Sequence, residues 1–137
     1  MNEAKYRRDL IELMRGQGWD AQAHEDMHHN YIADMSFAAH GLDGWIECKY
    51  LPKFPTSLKA IPHYTTGQRD WLIKRGSVGA GAVYLLVGTP EHHTMWDWQV
   101  LKAVHNLPYP EAAQQAVCNG DALADVVRYL RGVVQHW

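Results

Sequence analysis

Tyr31-Ile32-Ala33-Asp34-Met35-Ser36-Phe37 and Trp45-Ile46-Glu47-Cys48-Lys49-Tyr50 read as two strands joined by a turn at Gly41-Leu42-Asp43-Gly44. Successive side chains leave a strand on opposite faces. Asp34 and Ser36 therefore fall on one face of the first strand, with Ala33, Met35 and Phe37 on the other. On the second strand Glu47 and Lys49 point one way, while Ile46, Cys48 and Tyr50 point into an apolar layer. If the two strands pair, two carboxylates and an ammonium meet on one patch of sheet. Burying charge there is costly without a role. Two acidic oxygens suit a hard divalent cation, and a nearby lysine suits an anionic substrate. The plain alternative is an exposed strand face with a cross-strand ion pair, which is worth little.

Outward from this hairpin, residues 3–16 read as a helix, with Tyr6, Leu10, Leu13 and Met14 at helical spacing and Gly16 and Gly18 as its end. A short strand is expected within 19–25, where Trp19, Ala21 and Ala23 alternate with polar residues. Pro52, Pro55 and Pro62 make 51–64 an irregular loop. Thr65 and Gln68 fit a capping box that opens a helix to Arg75, stopped at Gly76. The apolar run 81–88 reads as a buried strand. Further on, 94–98 is expected to be a fifth strand. Helices are expected over 98–105, 110–118 (opened by Pro110) and 122–134 (capped by Asp121). The expectation is a single α/β domain over 1–137, with a core at about 3–88 and a C-terminal strand and helix extension over 89–137.

The 137 residues hold enough apolar side chains for a real core. No run of 18 apolar residues exists, so no membrane span is expected. The start, Met1-Asn2-Glu3-Ala4-Lys5-Tyr6-Arg7-Arg8, is charged and unlike a signal peptide. Cys48 and Cys118 lie far apart, and Cys48 faces inward, so reduced thiols and a cytoplasmic location are expected. The net charge of −2 argues against a nucleic-acid partner, but its distribution argues for one. Residues 49–90 carry six bases (Lys49, Lys53, Lys59, Arg69, Lys74, Arg75) against the single acid Asp70, directly after an acidic segment. Such a basic track suits a phosphate backbone, with Lys53, Lys59, Arg69 and Lys74 as candidate DNA contacts. Tyr50, Phe54 and Tyr64 interleave with Lys49, Lys53 and Lys59, which would suit a nucleic-acid groove. A Pro-rich loop with aromatic anchors fits the same residues.

The order α-β-β-β-α-β, with Asp34 followed on the next strand by Glu47-Cys48-Lys49, resembles the PD-(D/E)xK nuclease superfamily. The detail is closest to small Holliday-junction-resolvase-like and VRR-NUC-type nucleases. Further marks are Glu3 on the early helix, Glu47-Cys48-Lys49-Tyr50-Leu51-Pro52, the helix with Thr66-Gly67-Gln68-Arg69-Asp70-Trp71-Leu72, and the strand 82–87. The resemblance covers about 3–88. It implies a restriction-endonuclease-like αβββαβ core with a mixed sheet and extra C-terminal helices. It also implies an endodeoxyribonuclease of branched or structured DNA, with single-stranded or duplex DNA as alternative substrates. Asp34, Glu47 and the Cys48 backbone carbonyl would then bind Mg²⁺ or Mn²⁺, and Lys49 would orient the attacking water or neutralise the phosphate. Glu3 would be the helix acid, with Glu12 the other candidate, and Gln68 would lie near the site. One departure is Ala33, where the family has a proline. That change leaves open a non-catalytic DNA-binding module of the same fold. Cutting two symmetry-related strands of a junction calls for a homodimer, and the Trp-bearing strand 94–98 and the helices after Pro108 offer a surface for it.

A rival motif is His24-Glu25-Asp26-Met27-His28, the H-E-x-x-H pattern that on a helix supplies two zinc ligands and a general base of a metalloprotease. Its flanks, Asp20-Ala21-Gln22-Ala23 and His29-Asn30, offer little apolar surface to bury such a helix. His24, His28 or His29 could instead approach the carboxylate cluster from a loop.

Overall fold

The computed structural model describes residues 1–24, 31–79 and 81–136. Its elements are α1 (Glu3–Gly16), β1 (Asp20–Ala23), β2 (Met35–Ala39), β3 (Leu42–Tyr50), α2 (Thr66–Val78), β4 (Ala82–Gly88) and β5 (His93–Asp97). They continue with α3 (Leu101–Val104), α4 (Tyr109–Gln114), β6 (Cys118–Gly120) and α5 (Leu123–Gln135). The chain is thus α/β. Its described strands form one six-stranded mixed sheet in the order β1-β2-β3-β4-β5-β6, antiparallel throughout except for the parallel pair β3/β4. A parallel pair needs a crossover connection, and residues 51–81 supply it with α2. No helix among the described residues is long and apolar enough to cross a membrane.

β4 is buried along its whole length because helices cover both faces of the sheet. Ala82, Tyr84 and Leu86 enter one core with Tyr6, Leu10 and Met14 of α1 and Val127 and Leu130 of α5. Val83, Leu85 and Val87 enter a second core with Leu72 of α2, Leu101 and Val104 of α3 and Ala112 of α4. On α1 the stripe Tyr6–Leu10–Met14 runs at i, i+4, i+8, and Asn2 Oδ1 caps the helix by accepting from Lys5 N–H at 2.8 Å. Leu13 falls off the stripe and is exposed.

Several local expectations are corrected. The first hairpin strand begins at Met35 rather than Tyr31, and Ala33 joins the second core instead of sharing a layer with Met35 and Phe37. The turn is the residue pair His40-Gly41, both at positive φ (+52° and +87°), which is the backbone of a two-residue hairpin turn. Leu42, Asp43 and Gly44 are already strand. Gly44 has no room for a side chain, since a Cβ there would meet the Phe37 ring at 2.4 Å. Gly76 does not end α2, which runs to Val78. It is glycine because a Cβ would come within 2.2 Å of the Trp98 indole. Residues 98–105 form a 3₁₀ turn and one short helix, with Asp97 as the cap. The helix expected over 110–118 ends at Gln114, and Cys118–Gly120 is a sixth strand. α5 is capped by the side chain of Asp125, which accepts from Ala122 N–H at 3.1 Å; Asp121 points to solvent. The segment 51–64 is irregular as expected, with a single 3₁₀ turn, and Leu58, Ile61 and Tyr64 anchor it in the second core.

Much of the region after residue 88 is part of the folded core. β5 lies between β4 and β6, Trp96 is fully buried and donates to the Ala112 carbonyl at 2.7 Å, and α3, α4 and α5 contribute to the two cores. The Trp-bearing strand therefore offers no face for pairing with a second copy. Cys48 and Cys118 are free thiols.

Candidate active site

β2 pairs with β3 from Ala39/Leu42 to Met35/Ile46 and then diverges. β3 continues to Tyr50, paired beyond Ile46 with β4. Asp34, just before β2, spans the opening. Its Oδ1 accepts from Cys48 N–H at 3.1 Å, and its own N–H donates to Glu47 Oε1 at 3.1 Å. A side chain thus replaces the ladder bond that β2 would have made. An extended residue's N–H and C=O leave the strand at the same edge, so the Cys48 carbonyl also faces this opening. The Cys48 thiol points away into the first core, 3.7 Å from Met35 Sδ.

Glu47 and Lys49 share a face of β3, both almost fully buried, with Lys49 Nζ 3.3 Å from Glu47 Oε2 and donating to the His63 carbonyl at 3.0 Å. Arg7 reaches in from α1, its Nη1 3.3 Å from Asp34 Oδ2. The first turns of α1 and α2 close the sides of a cleft of about 540 Å³. All five expected catalytic residues line it: Glu3, Asp34, Glu47, Lys49 and Gln68. Glu12 is exposed and does not line it. Gln68 has a structural duty as well, its Oε1 accepting from Thr65 N–H at 3.2 Å in the capping box.

Sequence reasoning missed Arg7, whose signal was its i, i+4 spacing from Glu3, which sets both on one helix face. It left His24 open. The His24 ring lies 5.1 Å from Trp45, its Nε2 is 2.7 Å from Ser36 Oγ, and it lines the cleft. The remainder of the H-E-x-x-H segment, and His29, lie outside the described residues.

The cleft carries three acids (Glu3, Asp34, Glu47) against two bases (Arg7, Lys49). Burial and the neighbouring Glu47 hold the Asp34 carboxyl well above the usual carboxylate range, against the pull of Arg7 and the Cys48 N–H. Burial also raises the Glu47 carboxyl, and Lys49 opposes it. Burial, with both acids beside it, raises the Cys48 thiol. Burial thus disfavours the ionised form of both carboxyls, and a cation placed between them would favour it. Among the described residues no group of three or more His, Cys, Asp or Glu side chains gathers as a metal cage. The donors that could hold a cation here are Asp34 and Glu47, a pair of the kind with which Mg²⁺ keeps several waters.

Of the basic track only Lys49 lines this cleft; Lys53, Lys59, Arg69 and Lys74 do not. Lys53 lines a separate groove of about 440 Å³ with Phe54 and His92. Lys59 and Lys74 are exposed, and Arg69 is paired with its neighbour Asp70 at 3.0 Å. No protein-family model matches the chain, and a comparison with curated proteins finds no match to it.

Proposed function

We propose that the chain is a divalent-cation-dependent endodeoxyribonuclease of the PD-(D/E)xK type, resembling small Holliday-junction resolvases and VRR-NUC nucleases and acting on branched or structured DNA. The observation that carries this reading is the convergence of Glu3, Asp34, Glu47, Lys49 and Gln68, drawn from α1, β3, α2 and the approach to β2, on one cleft. The run α1-β1-β2-β3-α2-β4 has the αβββαβ order of the restriction-endonuclease-like core.

In this reading Asp34, Glu47 and the Cys48 carbonyl hold Mg²⁺ or Mn²⁺. The bound cation would polarise the phosphoryl oxygen and lower the pKa of a bound water. Lys49, pinned by Glu47 and the His63 carbonyl, sets a fixed positive charge where a phosphate develops negative charge. Arg7 holds Asp34 in the orientation that keeps Oδ1 on the Cys48 N–H. Cleavage of both symmetry-related strands of a junction would take two copies of the chain.

One observation favours a non-catalytic DNA-binding module. Each oxygen of Asp34 and Glu47 already has a partner within the chain, from Cys48, Arg7, Asp34 N–H and Lys49. A carboxylate oxygen has a second lone pair for a cation, so the network does not close the site to one. A junction, a flap, a duplex and a single strand, compared at equal concentration in Mg²⁺, separate these readings. Branched substrates are expected to be cut at least roughly ten-fold faster than the duplex, about 1.4 kcal/mol in barrier. Binding of all four with cleavage of none would establish the binding module instead.

A further inference from the structure

We propose that Trp45 and Arg75, with Trp71 and His24 packed against the Trp45 ring, form a subsite that stacks an unpaired nucleobase beside the cleft; the identity of the ligand rests on the nuclease reading. Trp45, Glu47 and Lys49 alternate along β3 and so share one face, with Trp45 roughly 7 Å of strand from Glu47. Gln68, Trp71 and Arg75 lie at i, i+3 and i+7 on α2 and likewise share a face. The helix that sends Gln68 to the cleft thus sends Trp71 and Arg75 over Trp45. The Trp45 and Trp71 rings are 5.4 Å apart at 74°, and the Arg75 guanidinium is 5.2 Å from the Trp45 ring. His24 belongs to both regions, lining the cleft and lying 5.1 Å from Trp45.

Trp45 and Trp71 pack against the second core but stay half-buried, and Arg75 is exposed. Beside Trp45 opens a second hollow of about 290 Å³, bordered by Gln22, Ser36, Asp43 and Arg75. Bases stack on aromatic rings and on arginine planes. Asp20 and Asp43, also at its border, repel phosphate but can accept N–H groups from a base edge. The hollow therefore takes a base and not the backbone. A base stacked within a duplex offers no free face, so the substrate class is DNA with an unpaired base next to the cleaved phosphate.

Labelled single-stranded deoxyoligonucleotides, identical except for one abasic position each, are bound to the intact protein in chelator and followed by anisotropy. Affinity is expected to fall at least about five-fold at one position or two adjacent ones, equivalent to about 1 kcal/mol of stacking. Arg75→Ala should weaken the intact oligonucleotide and leave the abasic one unchanged, whereas a purely structural role would weaken both. Equal affinity at every abasic position would overturn the subsite. Cleavage of the same oligonucleotides in Mg²⁺ is read separately. Base-dependent binding without cleavage would leave the subsite standing and remove the nuclease reading, and base-independent binding with cleavage would do the reverse.

Discussion

Lys49→Ala is expected to slow DNA cleavage at least ten-fold, about 1.4 kcal/mol of barrier, while cation binding is largely kept. The ammonium is buried, 3.3 Å from Glu47 and held by the His63 carbonyl at 3.0 Å. Its position is therefore set before substrate arrives, which is the condition for electrostatic stabilisation of a transition state. The same burial gives the substitution a stability cost, because removing one partner of a buried pair leaves the other uncompensated. Part of that cost is relieved when Glu47 takes up a proton, toward which burial already pushes it. Lys49→Gln, which keeps a donor for the His63 carbonyl, separates loss of charge from loss of fold. Single-turnover cleavage at saturating Mg²⁺, with thermal unfolding of each variant, is the measurement. A folded Lys49→Ala protein as fast as the parent would make the lysine a structural counter-ion only.

Divalent cation is expected to stabilise the protein at neutral pH and not in acid. The Asp34 and Glu47 carboxyls are raised in the folded state, so the unfolded chain loses these protons first. Their contribution to stability is fully present below the ordinary carboxylate values of about 4 and is lost as pH rises through the raised folded values. A cation that binds the ionised pair reverses this loss. At one hundred times its Kd it adds about 2.7 kcal/mol, roughly 10 °C in Tm for a chain of this size. Melting curves from pH 4 to 8, with Mg²⁺ or with chelator, should diverge as pH rises. Asp34→Asn should bring the two curves together. Superimposable curves for the parent protein at pH 8 would mean that the carboxylates hold no cation.

The parts of the fold legible in the sequence are those whose signal is local. The run of Ala82–Gly88 is apolar on both faces because both faces are covered. Thr65 and Gln68 spell their own capping box. Asp34, Glu47 and Lys49 could be brought together on paper because strand alternation and hairpin pairing are nearly geometric rules. What failed depends on distant partners. Glycine as a stop and glycine as a close-packing site look identical in sequence, and at Gly76 only the Trp98 ring decides. Gly41 and Gly44 suggested a four-residue turn, but Gly44 serves the Phe37 ring and the turn is His40-Gly41. β6 has three residues, Cys118–Gly120, and is a strand because β5 offers it a ladder. Arg7 is marked in the sequence only by its i, i+4 spacing from Glu3, a weaker signal than the apolar stripe Tyr6–Leu10–Met14 on the same helix. Charge along the chain does not say which bases share a surface: Lys49 lines the cleft, Lys53 a separate groove, and Lys59 and Lys74 are exposed outside both linings.

Nicking of supercoiled plasmid by the parent protein in Mg²⁺, Mn²⁺, Zn²⁺ or chelator tests most directly whether the Asp34–Glu47–Lys49 cleft is a cation-dependent phosphodiesterase site. Nicking is expected with Mg²⁺ and Mn²⁺, none in chelator, and none with Mg²⁺ once Asp34 is replaced by asparagine. Nicking that persists in chelator, that requires Zn²⁺ alone, or that survives Asp34→Asn would contradict the account.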